Sequence, residues 1–139
     1  MKIRIQKINP SAKLPSFAYE GDAGMDLFSC EYCEIEPMEV KAVGTGLKIA
    51  VPAGHAGFVW DKSGLAFNGR LKTLAGVLDS GYRGEFKVVL CNLGQVPYWV
   101  KKHQKIAQLI IQKVERPEII EGALDDTERG EKGFGSSGV

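Results

Sequence analysis

Apolar and polar residues alternate with a period of two through much of the chain, and the alternation breaks wherever glycine or proline falls. Ile3 and Ile5 open the pattern. It resumes at Met25 to Ser29, Glu34 to Pro37 and Leu47 to Val51, turns at Pro52-Ala53-Gly54, and continues at Gly57 to Trp60, Phe86 to Asn92, Tyr98 to Val100 and Ile106 to Val114. Successive side chains of a strand face opposite ways, so each stretch predicts a short strand with one face turned inward. Short strands at this spacing, with turn signals between them, predict an all-β sandwich, jelly roll or barrel. The single helical turn predicted lies near Ser63 to Asn68. The 17 glycines exceed the usual ~7% and agree with many turns.

A chain of 139 residues builds one core, so a second catalytic domain is not expected. Lys and Arg number 18 against 17 Asp and Glu, a net charge of +1. Neither nucleic acid nor an anionic membrane is an expected partner, and any phosphate must be held by a few placed cations. No apolar run approaches the ~18 residues that cross a bilayer. The N-terminal alternation is that of a strand, not of a signal peptide, which makes the cytoplasm the expected compartment, or that of a host if the gene is viral or phage-borne. Cys30-x-x-Cys33 with Cys91 gives an odd count, which suits neither a disulfide framework nor a zinc site.

Composition changes after Val114. Residues 1–114 read as a β-rich core and residues 115–139 as an arm, in which mixed charge gives way to Gly130 through Val139 with Phe134 as the one bulky residue. Such a segment has too little apolar surface to offset its ordering entropy and is expected to be flexible. Fully extended it spans up to ~80 Å, against a domain radius of gyration near ~14 Å, so it can reach a neighbouring subunit. Gly133 to Gly138 matches G-x-G-x-x-G on paper, but no strand precedes it and no helix follows, so it is no dinucleotide fingerprint. Arg129 and Phe134 instead suit closure over a nucleotide, one on phosphate and one stacked on a base.

Three further stretches carry chemistry. Ala75 to Phe86 ends one hydrophobic run at Asp79, turns through Ser80-Gly81 and returns into the next, a hairpin signature. At its tip Asp79 can act as a general base and Tyr82 can pack against a sugar, although Asp-Ser-Gly is also ordinary turn chemistry. Ala23 to Leu27 sets Asp26 in an apolar strand start, where a carboxylate can hold Mg2+ through water. Asp61 to Ala66 sets Lys62 and Ser63 at a strand-to-helix junction suited to phosphate. His55 and His103 have no nucleophile or acid spaced to partner them and read as surface or loop residues.

In order and spacing, Ala23–Leu27, Lys62–Ala66, Gly76–Glu85, Lys105–Leu109 and Arg129–Gly138 resemble the five motifs of trimeric deoxyuridine triphosphatases (dUTPases). The resemblance implies a jelly-roll-like all-β subunit, a homotrimer whose shared active sites are closed by an arm from another subunit, and Mg2+-assisted hydrolysis of dUTP to dUMP and pyrophosphate by water attack on the α-phosphorus. It implies Asp79 as the residue that deprotonates the water and bonds the 3'-hydroxyl, and Tyr82 as the ring that excludes a 2'-hydroxyl. Backbone of the 78–84 segment, Leu78 and Gly84 included, would read uracil, with Glu85 adjoining. Asp26 would anchor hydrated Mg2+, Lys62, Ser63 and Gly64 would meet phosphates, and Gln108 would hold water or the α-phosphate. Arg129 would grip the γ-phosphate, Phe134 would stack on uracil, and Gly135, Ser136 and Ser137 would lie near the phosphates.

The family usually has Arg at the position of Lys62, which makes a two-pronged clasp a point charge, and Asp61 beside it is expected to repel phosphate. His103-Gln104 stands where Gly-Asp or Gly-Glu is usual, Glu131-Lys132 where a further glycine is common, and Ser137 where threonine often sits. Two alternatives remain: a dCTP deaminase, alone or bifunctional, although Gly76–Glu85 follows the hydrolase pattern, and a catalytically weak dUTP-binding regulator.

Overall fold

The computed structural model describes residues 1–133. Within them the chain forms β1 (Arg4–Lys7), β2 (Met25–Phe28), β3 (Cys33–Ile35), β4 (Val40–Ala50), β5 (His55–Trp60), α1 (Ser63–Phe67), β6 (Leu71–Leu74), β7 (Val77–Leu78), β8 (Phe86–Asn92), β9 (Tyr98–Val100) and β10 (Lys105–Lys113). One four-stranded sheet has the order β1-β4-β8-β6 and a second β2-β10-β5-β7, while β3 and β9 form a two-stranded ribbon. Every pairing is antiparallel. The subunit is thus nearly all-β and jelly-roll-like. Leu27, Leu78, Ile106 and Leu109 of the second sheet meet Val43, Leu47, Phe86, Val88 and Leu90 of the first in one core. Alternation is clean on β6 and over Phe86–Leu90 of β8, where the sequence pattern predicts a strand, while Cys91 and Asn92 at the end of β8 are both buried. No helix among the described residues is long and apolar enough to cross a membrane.

β4 begins seven residues earlier than the predicted Leu47 start, because Gly44 and Gly46 lie inside the strand instead of ending it. The register with β8 shifts between Gly44 and Leu47, which marks a β-bulge. Gly46 has φ +68°, and a Cβ there would come within 2.9 Å of both Asn9 Cβ and Cys30 Sγ. A bulge leaves backbone donors unpaired, and here Gly44 N donates to Glu31 Oε1 at 2.7 Å and Gly46 N to Glu85 Oε1 at 3.2 Å.

The hairpin expected over residues 75–86 is corrected. β7 pairs with β5 and β8 with β4 and β6, so the flanking strands belong to different sheets. The chain crosses from one sheet to the other at Ala75-Gly76, both at positive φ, and crosses back through residues 79–85. Asp-Ser-Gly makes a local turn, with Tyr82 N donating to Asp79 O at 3.1 Å, without joining its two strands.

Candidate active site

Asp26 of β2 stands directly opposite Gln108 of β10, and directly opposed residues share a face. The Asp26 side chain is almost fully covered, with the residue 3% exposed. Two ammonium groups meet it: Lys62, ahead of α1, donates to Oδ1, and Lys105 lies 2.6 Å from Oδ2. Burial pushes the Asp26 pKa up, but the two ammonium groups against it, Lys105 and Lys62, outweigh it and leave the carboxyl below the usual aspartate range.

Lys105 reaches this face because of a second bulge. Residues 105 and 108 are an odd number apart and would face opposite ways in a regular strand. The register shift between Lys105 and Ala107 inserts one residue and sets Lys105 opposite Phe28, on the face shared by Asp26 and Gln108.

Gln108 is held in one orientation. Its Nε2 donates to the Asp61 carbonyl at 2.9 Å, which identifies the amide nitrogen and leaves Oε1 as an acceptor. The amide lies over Gly24, where a Cβ would sit 2.6 Å from Oε1, so any side chain at that position would displace it. Asp61, expected to repel phosphate beside Lys62, has its carboxylate already paired within the fold. Its carboxylate turns to β6, accepting from Thr73 N and Thr73 Oγ1 at 2.6 Å each and pairing with Lys72. Asp61 therefore fixes the junction that carries Lys62, and Ser63 and Gly64 beyond it are exposed.

The 78–85 loop is a separate surface. Leu78 is buried, so what it offers a ligand is backbone. Asp79 is exposed, and its carboxylate accepts no hydrogen bond from the described residues. Tyr82 is 46% exposed, its hydroxyl donates to Glu85 O at 3.0 Å, and its phenol lies against Gly84, where no Cβ would fit. Glu85 anchors this loop to the β4 bulge through Gly46 N.

These two groups do not meet within one subunit. Three strand spacings of ~4.8 Å separate β2 from β7, and about four residues of ~3.4 Å separate the Trp60 level from the Asp79 level along β5, which puts Asp26 and Asp79 roughly 20 Å apart. Groups acting on one phosphorus through direct or single-water hydrogen bonds lie within about 10 Å of each other.

The arm leaves β10 at Lys113. Ile119 and Leu124 are 94% and 93% exposed. Arg129 sits in a local turn, with Nε donating to Lys132 O at 3.0 Å. Phe134, Gly135, Ser136 and Ser137 lie outside the described residues.

Among the described residues no group of three or more His, Cys, Asp or Glu side chains forms a metal cage. Asp26 Oδ2 is buried and has no aligned hydrogen-bond donor. That oxygen fits a water of a hydrated Mg2+ carried mainly by the substrate's phosphates. Sequence reasoning overlooked Lys105, although it opens the fourth motif, because the bulge that aims it leaves no mark in the alternation. His103 and Gln104 are turn residues. His103 takes φ 65°, a backbone conformation that explains why glycine suits this place, and its Nε2 lies 2.7 Å from Ser11 O. Gln104 Oε1 accepts from Lys101 N at 2.9 Å, so no acid is needed to close the turn.

A sequence model of the dUTPase family matches residues 10–138. The deoxyuridine 5'-triphosphate nucleotidohydrolase of Clostridium kluyveri is 48% identical, over 100% of this chain and 99% of its own length. The dUTPase of Staphylococcus bacteriophage 80alpha, solved with dUPNHPP, superposes with a TM-score of 0.91 at 28% identity, covering 99% of each chain. A mutant dUTPase from phage phi11 of S. aureus, which carries a structural Mg(II) ion, shares the fold with a TM-score of 0.82 at 23% identity over 88% of this chain and 97% of its own.

Proposed function

The chain belongs to the dUTPase family and hydrolyses dUTP to dUMP and pyrophosphate, and we propose that it does so in sites built between copies of itself. The observation that carries this reading is the ~20 Å between Asp26 and Asp79. A single copy cannot bring both to one nucleotide, whereas the Asp26 cluster of one subunit and the 78–85 loop of a neighbour can converge. A homotrimer with three such sites is the closed assembly we infer. The bare Ile119 and Leu124 support an arm that packs on another subunit, residues 1–114 being the core and 115–139 the arm.

In this site the exposed Asp79 carboxylate takes the proton of the attacking water and accepts from the 3'-hydroxyl. Gln108 Oε1, turned toward the site by Asp61, holds a water in line with the α-phosphorus. Lys62, with Ser63 and Gly64, meets phosphate oxygens, and backbone from Leu78 to Gly84 reads the uracil edge. Tyr82 presents its ring to the deoxyribose and shuts out a 2'-hydroxyl. Glu85 supports the loop from behind. Arg129 closes on the γ-phosphate, with Phe134 over the base and Gly135, Ser136 and Ser137 beside the phosphates. Mg2+, which the family requires, supplies charge neutralisation along the triphosphate, and Asp26 holds one of its waters. Phosphoryl transfer depends chiefly on positioning and charge neutralisation, so one carboxylate, a few cations and one metal suffice. We place this work in the cytoplasm, where it keeps uracil out of DNA and supplies dUMP.

The test is pyrophosphate release with Mg2+ from dUTP against dCTP, dTTP and UTP. Turnover confined to dUTP is the expected result. Ammonia release from dCTP would establish a deaminase, and tight dUTP binding without turnover a regulator.

A further inference from the structure

Asp26 bears one negative charge and two ammonium partners, so this cluster holds one cation more than its carboxylate neutralises. The two contacts differ in kind. Lys62 donates a directed hydrogen bond to Oδ1, and its side chain is 29% exposed. Lys105 lies 2.6 Å from Oδ2 but off the hydrogen-bonding direction, and its side chain is 47% exposed. Its ammonium, at the end of a flexible four-carbon stem, retains much of its water. Of the two lysines it is the one that leaves at little cost, and the β10 bulge keeps it on the face of Gln108 wherever its tip points.

We propose that Lys105 is an interim counter-ion of Asp26: it covers Oδ2 while the site is empty, yields that oxygen to a hydrated divalent cation arriving with the nucleotide, and closes on the triphosphate as a second lysine beside Lys62. A buried carboxylate must stay neutralised at every stage. Exchanging one cation for another at Oδ2 achieves this while Lys62 remains on Oδ1. The exchange also delivers a positive charge to the polyphosphate without adding one to the empty site. This inference rests on the dUTP site described above and adds to it a phosphate-binding residue and the order in which two cations occupy one oxygen.

The experiment is calorimetric titration of the full-length protein with the non-hydrolysable analogue dUPNHPP, in EDTA and again in Mg2+, for wild type, Lys105→Gln and Lys105→Arg. Without Mg2+ the lysine stays on Oδ2, so Lys105→Gln should leave metal-free binding within about 3-fold of wild type; in Mg2+ it should weaken binding by about 10-fold, the worth of the charge-assisted phosphate contact it removes. The factor by which Mg2+ tightens binding should therefore be smaller in Lys105→Gln than in wild type by about the same 10-fold, because no second lysine is released to the triphosphate. Lys105→Arg, which keeps the charge on a half-exposed strand position, should retain the wild-type Mg2+ factor. Wild-type affinity in Mg2+ for Lys105→Gln, an equal Mg2+ factor in the two proteins, or loss of that factor in Lys105→Arg would each overturn the proposal. Failure of folded wild type to bind the analogue at all would overturn the dUTP site itself and this inference with it, and the wild-type titration alone separates that result from the others.

Discussion

Two singly inactive variants can be mixed to ask whether one active site draws on two subunits. Asp79→Ala removes the carboxylate proposed to activate the water and should cost about 10^2 to 10^4 in kcat. Lys62→Ala removes the cation proposed to meet phosphate in the other group of residues and should cost about 10^2 to 10^3. With roughly 20 Å between these groups on one subunit, the proposed site takes Asp79 from one chain and Lys62 from another. If the two variants are mixed in equal amounts, dissociated and reassembled at random, a site is intact only when its Lys62 comes from an Asp79→Ala subunit and its Asp79 from a Lys62→Ala subunit. Each condition holds half the time, so about a quarter of all sites are whole and the mixture should recover about 25% of wild-type activity per subunit. Pyrophosphate release before and after reassembly gives the number. If both residues of a site came from one chain, no mixture would contain an intact site, and activity at the level of the parents would refute the shared-site argument.

Deleting residues 127–139 should leave an assembled core that turns over dUTP about 10^3-fold more slowly, because the arm is proposed to supply an arginine contact to the phosphates; full activity with an unchanged mass in light scattering would remove the arm from the site. Gly46→Ala should lower stability by about 2–4 kcal/mol in urea unfolding, since it adds left-handed backbone strain to a collision with Asn9 and Cys30, and an unchanged midpoint would contradict the bulge geometry. Burial pushes the Asp61 pKa up, but Lys72 and Thr73 outweigh it and hold the carboxyl below the usual aspartate range. Its charge therefore stabilises the fold above about pH 4, the unfolded value, and ceases to do so as pH falls through the depressed folded value. The cost of Asp61→Asn, about 1–2 kcal/mol at pH 7, should shrink through that acid window, and a cost independent of pH would show that the charge contributes nothing.

Most of the strands were legible because a half-buried strand must alternate, and Phe86–Asn92 and Tyr98–Val100 have the predicted bounds. The failures occur where a residue's usual meaning is reversed by its partners. Gly44 and Gly46 look like strand breakers, yet Glu31 and Glu85 take up the donors the bulge frees, so the strand continues through them. Leu71–Leu74 and Val77–Leu78 are too short to carry a period, and nothing local tells that the next strand after Leu78 pairs in the other sheet. Pairing is a long-range property, and a turn sequence such as Asp-Ser-Gly reports only its own bend.

Legibility of the site follows the same division. Asp26, Lys62, Asp79 and Gln108 stand out because their types are costly in their settings or apt for a turn, and the motif order ties them together. What each does depends on contacts that cross the fold. Gln108 is an oriented acceptor only because Asp61 has spent its carboxylate on Thr73 and keeps its carbonyl for the amide, and because Gly24 leaves room for it. Lys105 belongs to the site only because one extra residue at the bulge reverses its face. Read alone, Asp26 suggests a metal ligand; with two ammonium groups upon it, it becomes a carboxylate that must exchange a cation before it can take another. On the proposed shared-site reading the subunit carries two incomplete half-sites at opposite edges of one sheet, each braced against the other sheet by Asp61 or Glu85, and the distance between them makes assembly a condition of catalysis and not merely of stability.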